Sequence, residues 1–546
     1  MNAPVPGNAS AALNQPPEFV PCDLWETDLA LREAVTREGA GAFSGRLAAY
    51  GALAGSELYR LGFDANRDRP RLRTHDRFGQ RIDRVEFHPD YHALMRHAIE
   101  AGATSLSWND PGPGAHVARA ALAYLHYQAE AGTSCPLTMT HAAVPALRRE
   151  PALAQWAAKA TAGIYEPEDA PIERKRGVTL GMGMTEKQGG SDVRANLTRA
   201  TPLMAGGEYA LSGHKWFFSA PMSDGFLVLA QAPGGLSCFL LPRWRPDGSR
   251  NALRLMRLKD KLGDWSNASS EVEFDDAWAL RIGEEGRGVP VIIEMVMLTR
   301  LDCMLGSSGL MRMALAQAVH HARHRSTFGK RLVEHALMRN VLADLALEAE
   351  AALALSMRVA RAVDAAPRDA GEAAFARIAT AVGKYWICRR APAFVGEALE
   401  CLGGNGYVEE SILARLYRQA PLNSIWEGSG NIQCLDVLRA LHREPASGQA
   451  LLGQLETAAG LDEHLDAAIA GVLPQLADPA SIPESSARIL AGRLALALQA
   501  SVLLVAENPA AALFCRSRLG GGNGMVFGTL PADADSGPLV ERVLPA

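Results

Sequence analysis

Aromatic residues are scarce in this chain, only 6%, and none of its eight cysteines forms a C-x-x-C pair. The first shortage argues against a fold dominated by sheet. The second argues against a zinc or dithiol site and a disulfide framework, so a reduced, cytoplasmic location is expected. No G-x-G-x-x-G opens a dinucleotide-binding helix, no H-E-x-x-H offers metal ligands, and no G-x-S-x-G marks a nucleophile elbow. The start, MNAPVPGNASAALNQPP, has neither a basic region nor an apolar run, and no signal peptide is expected. From Arg443 onward there is no lysine, and six arginines face eleven acidic residues, giving that segment −5. A tail of that sign argues against a strong nucleic-acid binder.

What is present is an ordinary globular composition, 48% hydrophobic and 21% charged. At 546 residues several domains or layers are expected. After a meandering start, residues 1–180 read as a helical domain, with helix formers running from His116 through Glu130 behind the punctuation of 111–114. Residues 181–288 change texture, with short β-branched and aromatic runs between Gly, Asp and Pro. They predict an antiparallel β-domain, a small barrel or a sandwich. Helices return at roughly 289–325, 332–363, 371–400 and 431–442, lengths that suit a four-helix bundle over 289–442. Residues 443–546 read as a further helical domain ending in a glycine-rich segment at 519–524. Its apolar stretch 489–506 is interrupted by Arg493 and Gln499, as in a buried helix rather than a bilayer span.

Among segments that could carry chemistry, Gly181-Met-Gly-Met-Thr-Glu-Lys-Gln-Gly-Gly-Ser-Asp192 can bring backbone N–H groups and hydroxyls close to a ligand. Its glycines alone fit equally a turn at the entry to the β-domain. His320, His321 and His324 have helical spacing but no carboxylate to complete a metal site, so no metal is expected. Cys238, Cys303 and Cys388 sit in apolar runs and read as core. Glu427, in Asn423-Ser-Ile-Trp-Glu-Gly-Ser-Gly-Asn431, is a candidate base; a helix-dipole partner is the bland alternative.

Taken together, four segments resemble the acyl-CoA dehydrogenase family: Gly183-Met-Thr-Glu-x-x-Gly-Gly-Ser-Asp192, His214-Lys-Trp-Phe-Phe-Ser219, Arg325-Ser-Thr-Phe-Gly329 and Glu400-Cys-Leu-Gly-Gly-Asn-Gly-Tyr407. With Leu258–Gly263, Ser266–Phe274 and Asn423–Ile432, the chain is similar to the AidB-like, alkylation-response subgroup of that family. The resemblance implies a helical N-terminal domain, a β-barrel middle domain, a four-helix bundle and an extra helical C-terminal domain. It implies FAD, bound by Met182, Gly183, Met184, Thr185, Gly190, Ser191, Phe217, Phe218, Ser219, Arg325, Phe328, Gly403, Gly404, Trp426, Gly428, Ser429 and Asn431. The residues from 400 and from 325 are those that reach a neighbouring subunit's cofactor in the family, which implies a homotetramer built from two dimers. Gln419 departs from the family's acidic residue there.

Glu427 is implied as the catalytic base, with Thr185 and Ser219 joining it at the substrate, because Trp426-Glu-Gly-Ser429 matches the family's base segment. Some members carry the base before an arginine on an earlier helix; here Thr299 precedes Arg300. The implied reaction is α-proton abstraction from an acyl-CoA with hydride transfer to flavin, the electrons leaving to an external acceptor such as an electron-transfer flavoprotein. The alternative is a DNA-binding alkylation-response protein whose flavin detoxifies alkylating agents or is structural. The acidic tail predicts weak, salt-dependent binding to double-stranded DNA.

Overall fold

The computed structural model describes residues 14–203, 206–521 and 526–545. The meandering start through residue 13 and most of the glycine-rich segment, 522–525, lie outside the described residues.

The organising element is the helix Gly288–His324, 37 residues and so about 55 Å long. It is buried on nearly all sides from Thr299 to Val319 because other helices surround it. Ala115–Ala129 and Ser134–Arg148 pack on it from the N-terminal part, and Ala336–Ala365 and Ala370–Glu400 from the bundle. Local chemistry sets where the helices begin. Asp369 accepts from the N–H groups of Gly371 and Glu372, and Asp462 does the same for the helix Glu463–Ala477.

The N-terminal part is helical except for a hairpin, β1 (Arg71–His75) and β2 (Arg81–Glu86), turned at Asp76–Gly79. The middle part holds β3 (Leu180–Gly183), β4 (Arg199–Pro202), β5 (Glu208–Ser219), β6 (Gly225–Ala232), β7 (Gly235–Pro242), β8 (Leu253–Leu258) and β9 (Ser269–Ile282). The path β6-β4-β5-β9-β7 returns to β6, so these five strands close a barrel. β3 flanks β6 and β8 flanks β9. Closure selects the barrel over the sandwich and removes sheet edges. Most pairings are antiparallel; β3 and β4 run parallel to β6.

The C-terminal helices share one continuous apolar core with the bundle and the N-terminal helices, reaching from Leu24 to Leu544. The helix Ala487–Val505 packs on Ala336–Ala365 and Ala370–Glu400. Within Glu484–Val505, the described segment apolar and long enough to span a membrane, 67% of the apolar window is buried in protein. The last turn is tied down as well. Arg312 donates to Val543 O at 2.6 Å, Arg323 to Leu544 O at 2.5 Å, and Arg542 pairs with Glu33 and Glu350.

Candidate active site

Glu427 lies in the loop before the helix Gly430–Arg443, with φ +59°, followed by Gly428 at φ +96°. A left-handed glutamate costs about 1–2 kcal/mol and needs outside support. Lys384, fully buried in the helix Ala370–Glu400, supplies it by donating to Asn423 O at 3.0 Å, Trp426 O at 2.9 Å and Gly428 O at 2.9 Å. Arg300 Nε and Gln433 Nε2 both donate to Glu427 O at 3.0 Å. Arg300 is itself anchored to Asp436 at 2.7 Å.

With the backbone fixed, the carboxyl is aimed at the central helix, where Thr299 Oγ1 donates to Glu427 Oε2 at 2.7 Å. Position 299 and position 427 therefore converge on one point. Glu427 keeps partial exposure, yet burial of its carboxyl pushes its pKa above the usual carboxylate value. The Thr299 hydrogen bond and the charges of Lys384 and Arg300 oppose that rise without cancelling it.

Trp426 packs against the same apolar cluster as Met182 and Met184, which joins the Glu427 segment to the glycine-rich loop. Met182 and Gly183 turn their side faces into the protein; a Cβ on Gly183 would lie 2.6 Å from the Phe218 ring. Beyond them Glu186 and Gly189 close a tight turn by mutual backbone bonds of 3.2 and 3.0 Å. Glu186 is buried and accepts from Lys215 at 2.8 Å, Leu197 N at 2.6 Å and Thr198 N at 3.2 Å. Burial alone would raise its pKa, but the Lys215 ammonium together with the hydrogen bonds from Thr198 and Leu197 outweighs that and holds it below the ordinary range. Gly190 passes so close to Thr185 that a Cβ would meet Oγ1 at 2.5 Å, and Ser191 stays exposed beside it. Thr185 O accepts from Trp216 N at 2.8 Å, docking the loop on β5.

A register shift in β5 between Lys215 and Phe218 governs which aromatics face out. Phe217 is 52% exposed, whereas Phe218 is fully buried inside the barrel against Phe226 and Phe274. The expectation of a cofactor contact at Phe218 is therefore corrected: its ring fills the barrel core. Ser219 returns to the outer wall, half-buried, its Oγ 3.2 Å from Ser269 Oγ.

The remaining predicted contacts are more scattered. Gly428 is partly buried and Ser429 exposed, and Asn431 accepts from Arg488 Nε at 2.8 Å. Arg325 and Phe328, at the end of the central helix, and Gly403 and Gly404, in the turn Gly403–Tyr407, make no described hydrogen bond to the Glu427 segment. Phe328 is 99% and Tyr407 82% exposed. Where the family expects an acid, Gln419 Oε1 accepts from Asp264 N at 2.7 Å. Half-buried Arg415 instead sits in the field of Glu130 and donates to Ala129 O at 2.9 Å.

The donor set fits a flavin. An outward aromatic ring and a hydroxyl on β5, an indole on the facing loop and a turn rich in backbone groups suit a planar ring with polar edges. Gln433 Oε1, buried beside Glu427, has no protein partner. Among the described residues no group of histidine, cysteine and carboxylate side chains could hold a metal. Lys384, Arg300 and Gln433 were not foreseen from sequence. The only signal for Lys384 is a single lysine in the otherwise uncharged run Thr380–Cys388, which also fits a surface position.

Fold and site thus define a member of the acyl-CoA dehydrogenase family, an oxidoreductase class whose cofactor is FAD, and the chain belongs to it. The model of the AidB adaptive-response protein N-terminal domain matches residues 14–167, that of the acyl-CoA dehydrogenase middle domain 181–277, and that of its C-terminal domain 286–442. The chain is 48% identical to the acyl-CoA dehydrogenase homologue AidB of Escherichia coli, over 93% of this chain and 94% of that protein. Caenorhabditis elegans ACDH-11, solved in complex with C11-CoA, superposes with a TM-score of 0.83 at 27% identity, covering 94% of this chain and 92% of that one. An acyl-CoA dehydrogenase from Bacillus anthracis, solved with FAD, shares the fold at a TM-score of 0.64 and 17% identity, over 78% of this chain and 80% of that one.

Proposed function

We propose that this acyl-CoA dehydrogenase-type oxidoreductase desaturates an acyl-CoA, with Glu427 as the base that takes the α-proton. The observation that carries the reading is the buried carboxyl of Glu427, held by Thr299 in a segment packed on the same cluster as Met182 and Met184. Removing the α-proton leaves its electron pair to form the Cα–Cβ double bond as the β-hydrogen departs as hydride. FAD, when bound, supplies the hydride acceptor. Burial makes the Glu427 carboxylate a stronger base. Met184 and Trp426, half-buried on the apolar cluster that Met182 joins from inside, supply apolar surface that excludes water from the reacting carbons. Electrons pass on to an external acceptor of the electron-transfer flavoprotein class.

The exposed Phe328 and Tyr407, in turns that the family uses across subunits, support a homotetramer of two dimers. A cytoplasmic location is part of the proposal, and the unpaired cysteines favour it. DNA binding is proposed to be weak. Arg516 is paired with Asp533, Arg518 with Asp344 and Glu348, and Arg542 with Glu33 and Glu350, so these C-terminal cations are already engaged. An anaerobic titration of the yellow protein with acyl-CoA thioesters of graded chain length tests the enzyme reading. Bleaching by at least one thioester supports it, and an unbleached flavin across the series refutes it.

A further inference from the structure

Ser219 on β5 and Ser269 on β9 are register partners, with their hydroxyl oxygens 3.2 Å apart. Taken alone, such a pair has no direction, since either oxygen can donate. Lys261, between β8 and β9, removes the ambiguity. Its Nζ reaches Asp264 Oδ2 at 2.7 Å, Asn267 O at 2.8 Å and Ser269 Oγ at 3.4 Å. An ammonium has three donors and no acceptor, so these contacts saturate it and oblige the Ser269 oxygen to accept. Ser269 keeps one hydroxyl proton of its own, and the acceptor described within its reach is Ser219 Oγ, so donating there is what satisfies that proton. Ser219 therefore accepts from Ser269, and its own proton points off the barrel wall. Lys261 is only 18% and Asp264 2% exposed at the side chain, so water competes little for these bonds.

The geometry points to Lys261 and Ser269 as positioning residues that make Ser219 a fixed hydrogen-bond donor toward the flavin. The inference rests on the proposed function, which sets the flavin against Ser219. A preset, polarised donor stabilises the added electrons of the reduced ring and raises its midpoint potential.

The test is a spectroelectrochemical titration of the purified holoprotein and of Ser269→Ala and Lys261→Met. Both variants are expected to weaken the reduction equilibrium about five- to tenfold, a shift of about 20–30 mV to more negative potential for a two-electron couple. Ser269→Ala does so although the Lys261 charge stays in place, an effect that a purely structural or through-space role would not produce. An unchanged potential in Ser269→Ala overturns the inference, whether or not Lys261→Met shifts. If Lys261→Met does not fold, Ser269→Ala decides alone. A wild-type protein that holds no flavin would instead refute the proposed function.

Discussion

Replacing Lys384 by methionine keeps most of the side-chain volume and removes one buried charge. Three carbonyls, those of Asn423, Trp426 and Gly428, then lose their donor. A hydrogen bond to a charged group contributes about 1.5–3 kcal/mol, and the three share one ammonium and are not additive. A net loss of about 3–5 kcal/mol is expected, in the range for a buried charge that leaves its partners unpaired. The loss falls on the loop that holds Glu427 in its left-handed conformation. The Lys384 charge also opposes the rise in the Glu427 pKa. Lys384→Met should therefore show a lower urea midpoint together with a pH–rate curve for flavin reduction displaced to higher pH. A variant with wild-type stability and an unmoved pH–rate midpoint would refute the assignment of Lys384 as the support of this loop.

Two further perturbations separate site from scaffold. Thr299→Val deletes the donor to Glu427 Oε2, which favours the ionised form. A base works deprotonated, so the reduction rate rises with pH through the Glu427 pKa, and the variant should need a higher pH to reach half its maximum; Thr299→Ser should restore the wild-type curve. In the scaffold, burial works against the Asp169 charge, but Arg243, Arg250 and Trp244 overcome it and hold its pKa at about 2. A lowered carboxylate pKa stabilises the fold above the unfolded value of about 3.9 and loses that contribution as pH falls toward 2. Asp169→Asn should cost about 2 kcal/mol in urea denaturation at neutral pH. The gap to wild type should narrow steadily below pH of about 4.

The sequence made the frame of the site legible because its pieces are local. Trp426-Glu-Gly-Ser429 and the loop from Gly183 to Asp192 read as contiguous strings, and the long helices show as long stretches of helix formers, one of them capped by Asp369. What did not read depends on contacts distant in the chain. Lys384 reads as any helical lysine until the loop from Asn423 to Gly428 folds over it. Phe217 and Phe218 look interchangeable until the β5 register shift sends one outward and the other into the barrel. The β1–β2 hairpin was absorbed into a helical reading because its strands are short and highly charged. Residues from 443 onward look like a unit of their own by charge, yet Leu494, Leu498 and Phe514 belong to the common core.

The central claim is that Glu427 accepts the substrate proton, and anaerobic single-turnover reduction of Glu427→Gln measures this most directly. The amide preserves size and removes the base. The variant should bind flavin normally and bleach about a hundred- to ten-thousand-fold more slowly than wild type with the same acyl-CoA. Bleaching at the wild-type rate would show that Glu427 is not the base.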